Sequence, residues 1–452
     1  MTGTPLASRS DLDAASETPA APWPWWQLAL FRVAAVYFGL YALVPEGLWT
    51  GLTSWMHTQG LAPYDVIHQP TGSGDTGHDF AKLVAMLVLA GALAAAWSLL
   101  HRQFGGGAAH PRLGRWLHAL TRWYLALIML GYGLHKFYVG QFGELGPYRL
   151  LTRVGELAPM TMVGTFLQSS KAYELFGGGG EVLAGLLLFH RRTALLGALV
   201  ATGVMTNVAA LNWCCGVPVK LFSAHLLLFA AALLAPFVPG LWSLTTGRPP
   251  APPVDLQLAR RRRPHLVLTI LGWLAALLWL VASHFEGIAP RPWMAGYEKG
   301  PYHGVWQVER MLVDGKELAA DDGHRWRWLA FERGTMAFVD EQGGVRHLLD
   351  AKRDPQAADD DGLGATLAVT RGTGADKSEE GAWRLQEGRK TVQVTRPMAR
   401  TWQERAEPIP AERRTLTLRG TFAGRPLEVH AVEMVFPLQK GFLLRQELPE
   451  GW

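Results

Sequence analysis

Long apolar segments constrain this chain more than any other feature of its sequence. The last of them contains 21 consecutive residues without Lys, Arg, Asp or Glu. A helix needs about 20 apolar residues to cross the hydrocarbon core of a bilayer. Six further candidates precede it. The sequence therefore predicts seven membrane-spanning helices: Trp26–Val44, Ala81–Leu100, Trp116–Tyr138, Glu174–His190, Thr193–Trp213, Val217–Phe237 and His265–Phe285.

Charge is distributed unevenly along the 452 residues. Up to Pro290, 32 of 290 residues are charged, whereas 49 of the 162 residues from Arg291 onwards are charged. Because soluble domains are roughly 25% charged, one soluble globule is excluded. Two cysteines are too few for a disulfide-stapled secreted domain. The nearly neutral C-terminal part offers no basic face for nucleic acid.

Basic residues between the spans predict the orientation. Arg102, Arg112 and Arg115, then Arg191 and Arg192, then Arg248 and the run 260–263 all fall in even-numbered connections. Lys and Arg concentrate in cytoplasmic loops, so the N-terminus is predicted to be cytoplasmic. The predicted organisation is a polar tail (1–24), a transmembrane helical domain (25–286), a linker (287–300) and a periplasmic domain (301–452). We expect a multi-pass protein of the bacterial inner membrane, with no cleavable signal peptide.

The C-terminal part is predicted to be a β-domain. Short runs rich in β-formers, several of them alternating, are separated by Gly, Asp and Pro. About 150 residues of this kind favour a single antiparallel barrel or sandwich. The runs are Val305–Val308, Met336–Val339, Thr391–Val394, Thr415–Leu418, Glu428–Val432 and Gly441–Leu444.

Three residues suggest which kind of barrel this is. Gly304 and Trp306 open the first predicted strand, and Arg445 lies on the last. The segment resembles lipocalin-like barrels, where a Gly-x-Trp strand meets a late arginine whose guanidinium covers the indole. A buried tryptophan in an ordinary β-core is the alternative interpretation.

Ionisable and amide side chains inside the predicted spans are candidates for a functional site, because burying them in hydrocarbon is costly. With alternating helix directions, they gather in the outer half of the membrane. We predict an intramembrane pocket from this set: His135, Lys136, Glu174, Glu181, Asn207, Asn212, Lys220 and His225. Gly177–Gly180 would let a neighbouring helix approach closely.

A structural role competes with this interpretation. Glu181 and Lys136 could pair simply to fix helix packing. Lys136 and Lys220 could extend to the outer interface, and Arg32 is expected to reach the cytoplasmic interface in the same way. His135 and His225 are more often packing residues, and the two asparagines more often bridge helices.

The adjacent pair Cys214 and Cys215 is a second candidate, for thiol redox chemistry. A disulfide between neighbouring cysteines is strained and easily reduced. The sequence has no Cys-x-x-Cys motif, which argues against a thioredoxin-like centre. No metal-binding motif, phosphate loop or dinucleotide fingerprint is present either.

Five segments, about a quarter of the chain, carry a resemblance to a known family: Gly131–Phe137, Tyr173–Phe176, Gly180–Leu188, Arg191–Ala198 and Val217–Leu226. They resemble the DoxX-like family of bacterial inner-membrane proteins. The resemblance implies a four-helix membrane bundle and, for some members, quinone-dependent sulfur oxidation or thiol redox balance. Leu30-Phe31-Arg32 is also similar to the membrane domain of vitamin K-dependent carboxylases, which implies a Lys base and a hydroquinone.

Three functions remain open from the sequence. The first is a membrane oxidoreductase that uses quinone at a pocket containing Lys136, Glu181 and His225. The second is a non-enzymatic anchor whose periplasmic β-domain binds a lipid or a protein partner. The third is a small-molecule transporter.

Overall fold

The computed structural model describes a helical part and a β part of the chain, each in several segments. The described residues are 23–61, 75–103, 109–138, 141–249, 254–258, short pieces between 267 and 282, 302–332, 335–340, 347–353, 364–371, 378–394, 409–422 and 425–434. The chain divides into two compact units. The helical unit comprises Met1–His135 and Gly177–Phe285, and the β unit comprises Lys136–Phe176 and Glu286–Trp452.

Ten α-helices have defined bounds among these residues. They are α1 (Trp25–Leu43), α2 (Glu46–Thr58), α3 (Gly77–Gln103), α4 (Pro111–Tyr138), α5 (Pro147–Leu151), α6 (Pro159–Gln168), α7 (Lys171–Phe189), α8 (Ala194–Cys214), α9 (Lys220–Leu234) and α10 (Val238–Thr246). Two 3₁₀ turns accompany them, at Val154–Glu156 and Ala235–Phe237.

Five helical segments are long and apolar enough to cross a membrane: α1, α3, α7, α8 and the stretch Lys220–Thr246 that runs from α9 to α10. Between 17% and 39% of the residues in each apolar window are buried inside the protein. Most of their apolar surface therefore faces outwards, as it does when lipid is the solvent. These segments indicate a membrane protein and match five of the seven predicted spans.

The other two predicted spans have different outcomes. The third lies within α4, a continuous 28-residue helix that is not among the five apolar segments. The seventh, His265–Phe285, lies largely outside the described residues, although its described pieces, such as 270–274, are helical. Helix α2 occupies a stretch where the sequence suggested only a connection.

Glycines bring α4 and α7 into close contact. A Cβ atom on Gly133 would lie 2.8 Å from the carbonyl oxygen of Gly178, and one on Gly185 would lie 2.9 Å from that of Ala126. Both helices belong to the helical unit at these positions. Small residues at membrane helix interfaces allow such close packing of backbones. Within Gly177–Gly180, the Gly178 backbone lies at this contact and Gly180 packs against Val204, whereas Gly177 and Gly179 have open space beside them.

Alanines have the same role in the contact between α1 and α3, which pack against each other. Helix α3 is apolar on nearly every side, but its buried positions form one stripe. The stripe lets α1 bring its polar side chains close to α3. Its members are Ala81, Ala85, Ala90 and Ala94.

The β unit contains one antiparallel sheet. Its strands are β1 (Gly304–Val313), β2 (Lys316–Glu317), β3 (Trp326–Glu332), β4 (Thr335–Asp340), β5 (His347–Arg353), β6 (Gly364–Arg371), β7 (Ser378–Val394), β8 (Ile409–Phe422) and β9 (Arg425–Met434). Strands β3 to β9 pair in chain order, and β1 pairs with β2, β3 and β9. Five of the six predicted strand runs lie within these strands, and Gly441–Leu444 lies outside the described residues.

Both faces of β3 are buried, which breaks the alternation expected of a half-buried strand. Leu329 and Phe331 belong to the main core of the sheet. Ala330, between them, belongs to a second cluster in which Tyr148 and Leu151 of α5 also pack. Because successive side chains of a strand point to opposite faces, α5 must cover the face opposite the main core.

Glu332 fixes the start of α5 on this face. Pro147 occupies the first turn and has no backbone N–H, so the first free donor is that of Tyr148. The Tyr148 N–H donates to Glu332 Oε2 at 3.2 Å, and the Tyr148 hydroxyl donates to the Glu332 carbonyl oxygen at 3.4 Å. The connection between α4 and α7 is thereby part of the β unit.

Candidate polar site in the helical unit

His225 lies at the centre of a buried aromatic group formed by α1, α4 and α9. Its Nε2 atom is 2.5 Å from the hydroxyl of Tyr37, and its ring stacks on Tyr41 with centroids 4.5 Å apart. Tyr41 meets Tyr124 edge to face, with centroids 6.2 Å apart. His225 and Tyr37 are 8% and 6% exposed. A polar group is thus held inside an apolar helical core.

Hydrogen bonding defines the proton positions in this group. His225 Nδ1 is 2.6 Å from the carbonyl oxygen of Leu221, which can only accept. Nδ1 therefore carries the proton, and in the neutral ring Nε2 is the acceptor. The Tyr37 hydroxyl then donates to Nε2. The donor and the acceptor are therefore satisfied by each other, and a ligand gains access to the hydroxyl proton and to the Nε2 lone pair only by displacing this hydrogen bond.

A second cluster lies where α2 meets the start of α3, and the sequence did not single it out. Glu46 accepts hydrogen bonds from His78 Nε2 at 3.3 Å and from Lys82 Nζ. His78 Nδ1 is 2.6 Å from the hydroxyl of Thr53, which itself donates to the Trp49 carbonyl oxygen. The His78 and Lys82 side chains are only 14% and 16% exposed. The carboxylate thus forms an ion pair with Lys82 and accepts a hydrogen bond from His78.

Electrostatics links the two groups. Lys82 interacts with His225, and Glu46 interacts with Tyr41. Partial burial raises the pKa of Glu46, but the hydrogen bonds and charges of Lys82 and His78 outweigh it and hold this pKa below its usual value. We call the whole set the acid-paired cluster; its members are Glu46, Thr53, His78, Lys82, Tyr37, Tyr41, Tyr124 and His225.

Asp75 fastens the start of α9 beside this cluster. Its carboxylate accepts the backbone N–H groups of Lys220 and Leu221, both at 3.0 Å, and the Lys220 ammonium at 3.2 Å. Negative charge at a helix N-terminus satisfies free N–H groups and the helix dipole. Lys220, a predicted pocket residue, is therefore paired with an acid that precedes it by 145 residues.

Four other predicted pocket residues belong to the helical unit: Glu181, Asn212, Asn207 and His135. Glu181 is buried and interacts electrostatically with Tyr132. Asn212 is also buried, and its Nδ2 atom has no hydrogen-bond partner among the described residues. Asn207 is exposed on α8, and His135 is partly buried on α4. The structure therefore joins His225 and Lys220 to residues that were not predicted.

Two predicted pocket residues belong to the β unit. Glu174 is 3% exposed and accepts hydrogen bonds from Lys171 Nζ at 2.7 Å and from the backbone N–H of Phe142 at 3.4 Å. Lys171 also donates to the carbonyl oxygen of Lys136, whose own side chain is buried. Glu174 thus holds together the two ends of the connection between α4 and α7.

The cysteines and the β-domain signature also have defined surroundings. Cys214 and Cys215 are free thiols, the first exposed and the second partly buried. Trp306 is fully buried, and Arg414 of β8 lies over its ring at 5.1 Å. The predicted partner, Arg445, lies outside the described residues. No group of three or more His, Cys, Asp or Glu side chains in the described part of the chain is placed to hold a metal ion.

Arg32, which was expected to reach the cytoplasmic interface, is enclosed by side chains near the end of α3. The side chain is 4% exposed. Its Nη1 atom donates to the Ser98 hydroxyl at 2.8 Å, and its guanidinium lies over the Trp97 ring at 5.4 Å. His110 is 3.4 Å from Nη2. Neutral groups therefore surround this cation, and its position relative to the membrane interface stays a prediction.

One known protein shares a substantial stretch with this chain. The uncharacterized protein YwoB of Bacillus subtilis (strain 168) is 36% identical over 129 residues, which is 28% of this chain and 82% of YwoB. This chain belongs to the YwoB family. No family model matches the chain, and no solved structure matches it. A stretch of this size thus occurs as most of a separate bacterial protein, and the β unit extends well beyond it.

Proposed function

We propose that the helical unit binds the head group of a quinone beside His225 and works as part of a membrane oxidoreductase. The observation that carries the proposal is the Tyr37–His225 hydrogen bond, buried among aromatic rings. A quinone that displaces this hydrogen bond would accept the Tyr37 hydroxyl proton at its carbonyl oxygen. A quinol in the same place would donate its hydroxyl proton to Nε2 of His225. Tyr41 provides a flat ring against which a quinone can stack.

The charged side chains next to this group suit proton transfer. Quinone reduction takes up protons together with electrons, so a quinone site needs ionisable groups between itself and water. Glu46 is 61% exposed in its side chain, whereas Lys82 is largely buried and interacts with His225. These residues would carry protons between solvent and the aromatic group. DoxX-like membership, which the sequence suggests, agrees with such chemistry.

Quinone binding is tested with the full chain purified in detergent and titrated with a short-chain quinone, following tryptophan fluorescence. Tyr37→Phe removes one donor, so we expect about tenfold weaker binding, the equivalent of one hydrogen bond. His225→Gln is expected to weaken binding at least as much. Tyr173→Phe changes an exposed tyrosine of the β unit and is the matched control. Equal affinity in all variants, with no quinone in the purified protein, would exclude this function.

We further propose a seven-span topology with the N-terminus in the cytoplasm and the β unit in the periplasm. Helix α5 lies in the connection between α4 and α7 and packs on the sheet, so this connection and the sheet are on the same side of the membrane. From that connection to β1, an even number of crossings is then required. Helices α7 and α8, the stretch Lys220–Thr246 and a span at 265–285 supply four.

The two native cysteines test this topology directly. They are the only cysteines in the chain and lie at the end of α8 that the proposal places outside. A membrane-impermeant maleimide is expected to label them in intact spheroplasts. In a cysteine-free background, Arg192→Cys places one thiol at an exposed position after α7. That control should be labelled only after lysis, and the reverse pattern would overturn the orientation.

A second candidate function is a membrane anchor that presents the β unit to a periplasmic protein or lipid. We infer that β1, by pairing with both β3 and β9, closes the sheet into a lipocalin-like barrel. Arg414 over Trp306 supports this, since it supplies the arginine–indole contact of such barrels from another strand. The attachment of α5 to the sheet favours the anchor function. The quinone titration separates the two candidates.

A further inference from the structure

Arg122 is a buried cation that has no matching anion among the described residues. It lies on α4 and is 5% exposed. Its Nε and Nη1 atoms are buried and have no hydrogen-bond partner among the described residues. A buried guanidinium that leaves donors unpaired is strongly unfavourable, so natural proteins pair such groups. This arrangement therefore indicates that a partner group outside the described part of the chain completes the site.

The surroundings of Arg122 are basic. Arg191, which follows α7, interacts repulsively with Arg122. His118, one helical turn before Arg122, is 3.3 Å through Nε2 from the carbonyl oxygen of Leu233 at the end of α9. Partial burial, with the charges of Arg192, Arg122 and Arg191, lowers the pKa of His190. We call His118, Arg122, His190 and Arg191 the arginine cluster.

Arg115, two turns before Arg122 on α4, has an acid of its own. Asp255 pairs with Arg115, 3.4 Å from its Nη1 atom. No acidic side chain in the described part of the chain is paired with Arg122. The charged neighbour of Arg122 is another arginine, Arg191. A negative ligand would therefore relieve both the unpaired donors and the mutual repulsion.

We propose that the arginine cluster binds a phosphate group, with the head group of an anionic phospholipid as its membrane source. Arg122 would donate to the phosphate oxygens from within the bundle, and Arg191 would contact them from the loop. Basic pockets between membrane helices on the cytoplasmic side are suited to anionic head groups. Outward-facing leucines of α7 beside this end, such as Leu183 and Leu186, leave room for acyl chains. This site is separate from the acid-paired cluster.

Thermal unfolding of the full chain in neutral detergent tests the proposal. Phosphatidylglycerol, phosphatidylcholine, inorganic phosphate and chloride are added in separate titrations. We expect phosphatidylglycerol to raise the unfolding midpoint of the wild type. The same response to inorganic phosphate assigns the site to a soluble anion, and a response to phosphatidylglycerol alone assigns it to the lipid. Equal responses to phosphatidylcholine and phosphatidylglycerol, or a response to none of the phosphate compounds, would overturn the proposal.

Two variants test whether lipid binding depends on Arg122. Arg122→Met removes the unpaired charge but keeps an apolar side chain of similar length, so we expect it to fold and to bind phosphatidylglycerol about tenfold more weakly. Arg192→Met removes an exposed arginine from the same loop and should bind within about twofold of the wild type. Without lipid, Arg122→Met should be at least as stable as the wild type. A strong loss of stability there would show that Arg122 pairs with an acid of the chain, and would refute the site.

Discussion

The two ends of α9 differ in how the charged side chains around them are paired. At its start, Lys220 is paired with Asp75, and Lys82 and His78 are paired with Glu46 nearby. Towards its end, His118 and Arg122 have cations around them and no carboxylate partner among the described residues. The charges at the start are paired within the chain, whereas those towards the end form the anion site that we propose. Buried charge in a membrane bundle is thus either completed within the chain or left as a binding site.

The largest expected difference is between removing Asp75, at the start of α9, and removing Asp255, which pairs with Arg115 of α4. Asp75→Ala leaves two backbone N–H groups of α9 and Lys220 without their acceptor, so we expect a loss of about 2 kcal/mol in the free energy of unfolding. Asp255→Ala removes a carboxylate that is 60% exposed, and its effect should be below about 1 kcal/mol. Thermal unfolding in detergent measures both. Equal losses would remove the contrast between the two ends.

A smaller effect is expected where a neutral group holds a cation. Ser98→Ala removes the hydroxyl that accepts from Arg32, and we expect a loss of about 1 kcal/mol. Thr202→Val is the control, because the Thr202 hydroxyl bonds only to the Ala198 carbonyl oxygen of its own helix. If both substitutions have the same effect, the contact between Ser98 and Arg32 contributes nothing measurable.

The smallest effect concerns pH and belongs to the acid-paired cluster. The pKa of Glu46 in the folded chain lies below its ordinary value of 4.5. Its contribution to stability is therefore present above that ordinary value and is lost as the pH falls towards the folded pKa. Because Glu46 is largely exposed, we expect less than about 1 kcal/mol. Glu46→Gln should flatten the stability profile as the pH falls below the ordinary value, and an unchanged slope there would contradict the role assigned to Glu46.

Helix positions could be read from the sequence because length and apolarity alone define a span. Thus α1, α3, α7, α8 and α9 begin and end close to the predicted bounds or contain them. Helix α2 was missed, because 13 residues are too few to register as a span. Strand runs were found for a similar reason, since alternation and turn residues are local properties.

The partners within the candidate site could be predicted only in part. His225 and Lys220 were found as polar residues in an apolar helix, but their partners lie 188 and 145 residues away in the sequence. Nothing local specifies such pairs. One signal was available: His78 and Lys82 are four residues apart on one helix face, a spacing that places both beside the same acid.

The attachment of α5 to the sheet has a consequence for how this protein is made. Strand β1 begins 153 residues after α5 ends, so the ribosome delivers the short helix long before the surface that receives it. Tyr148 and Leu151 therefore stay without their packing partners while the later helices are inserted into the membrane. If one membrane crossing were missed, α5 and the sheet would lie on opposite sides of the membrane and could not pack. An insertion error would then produce a misfolded chain, which proteases recognise.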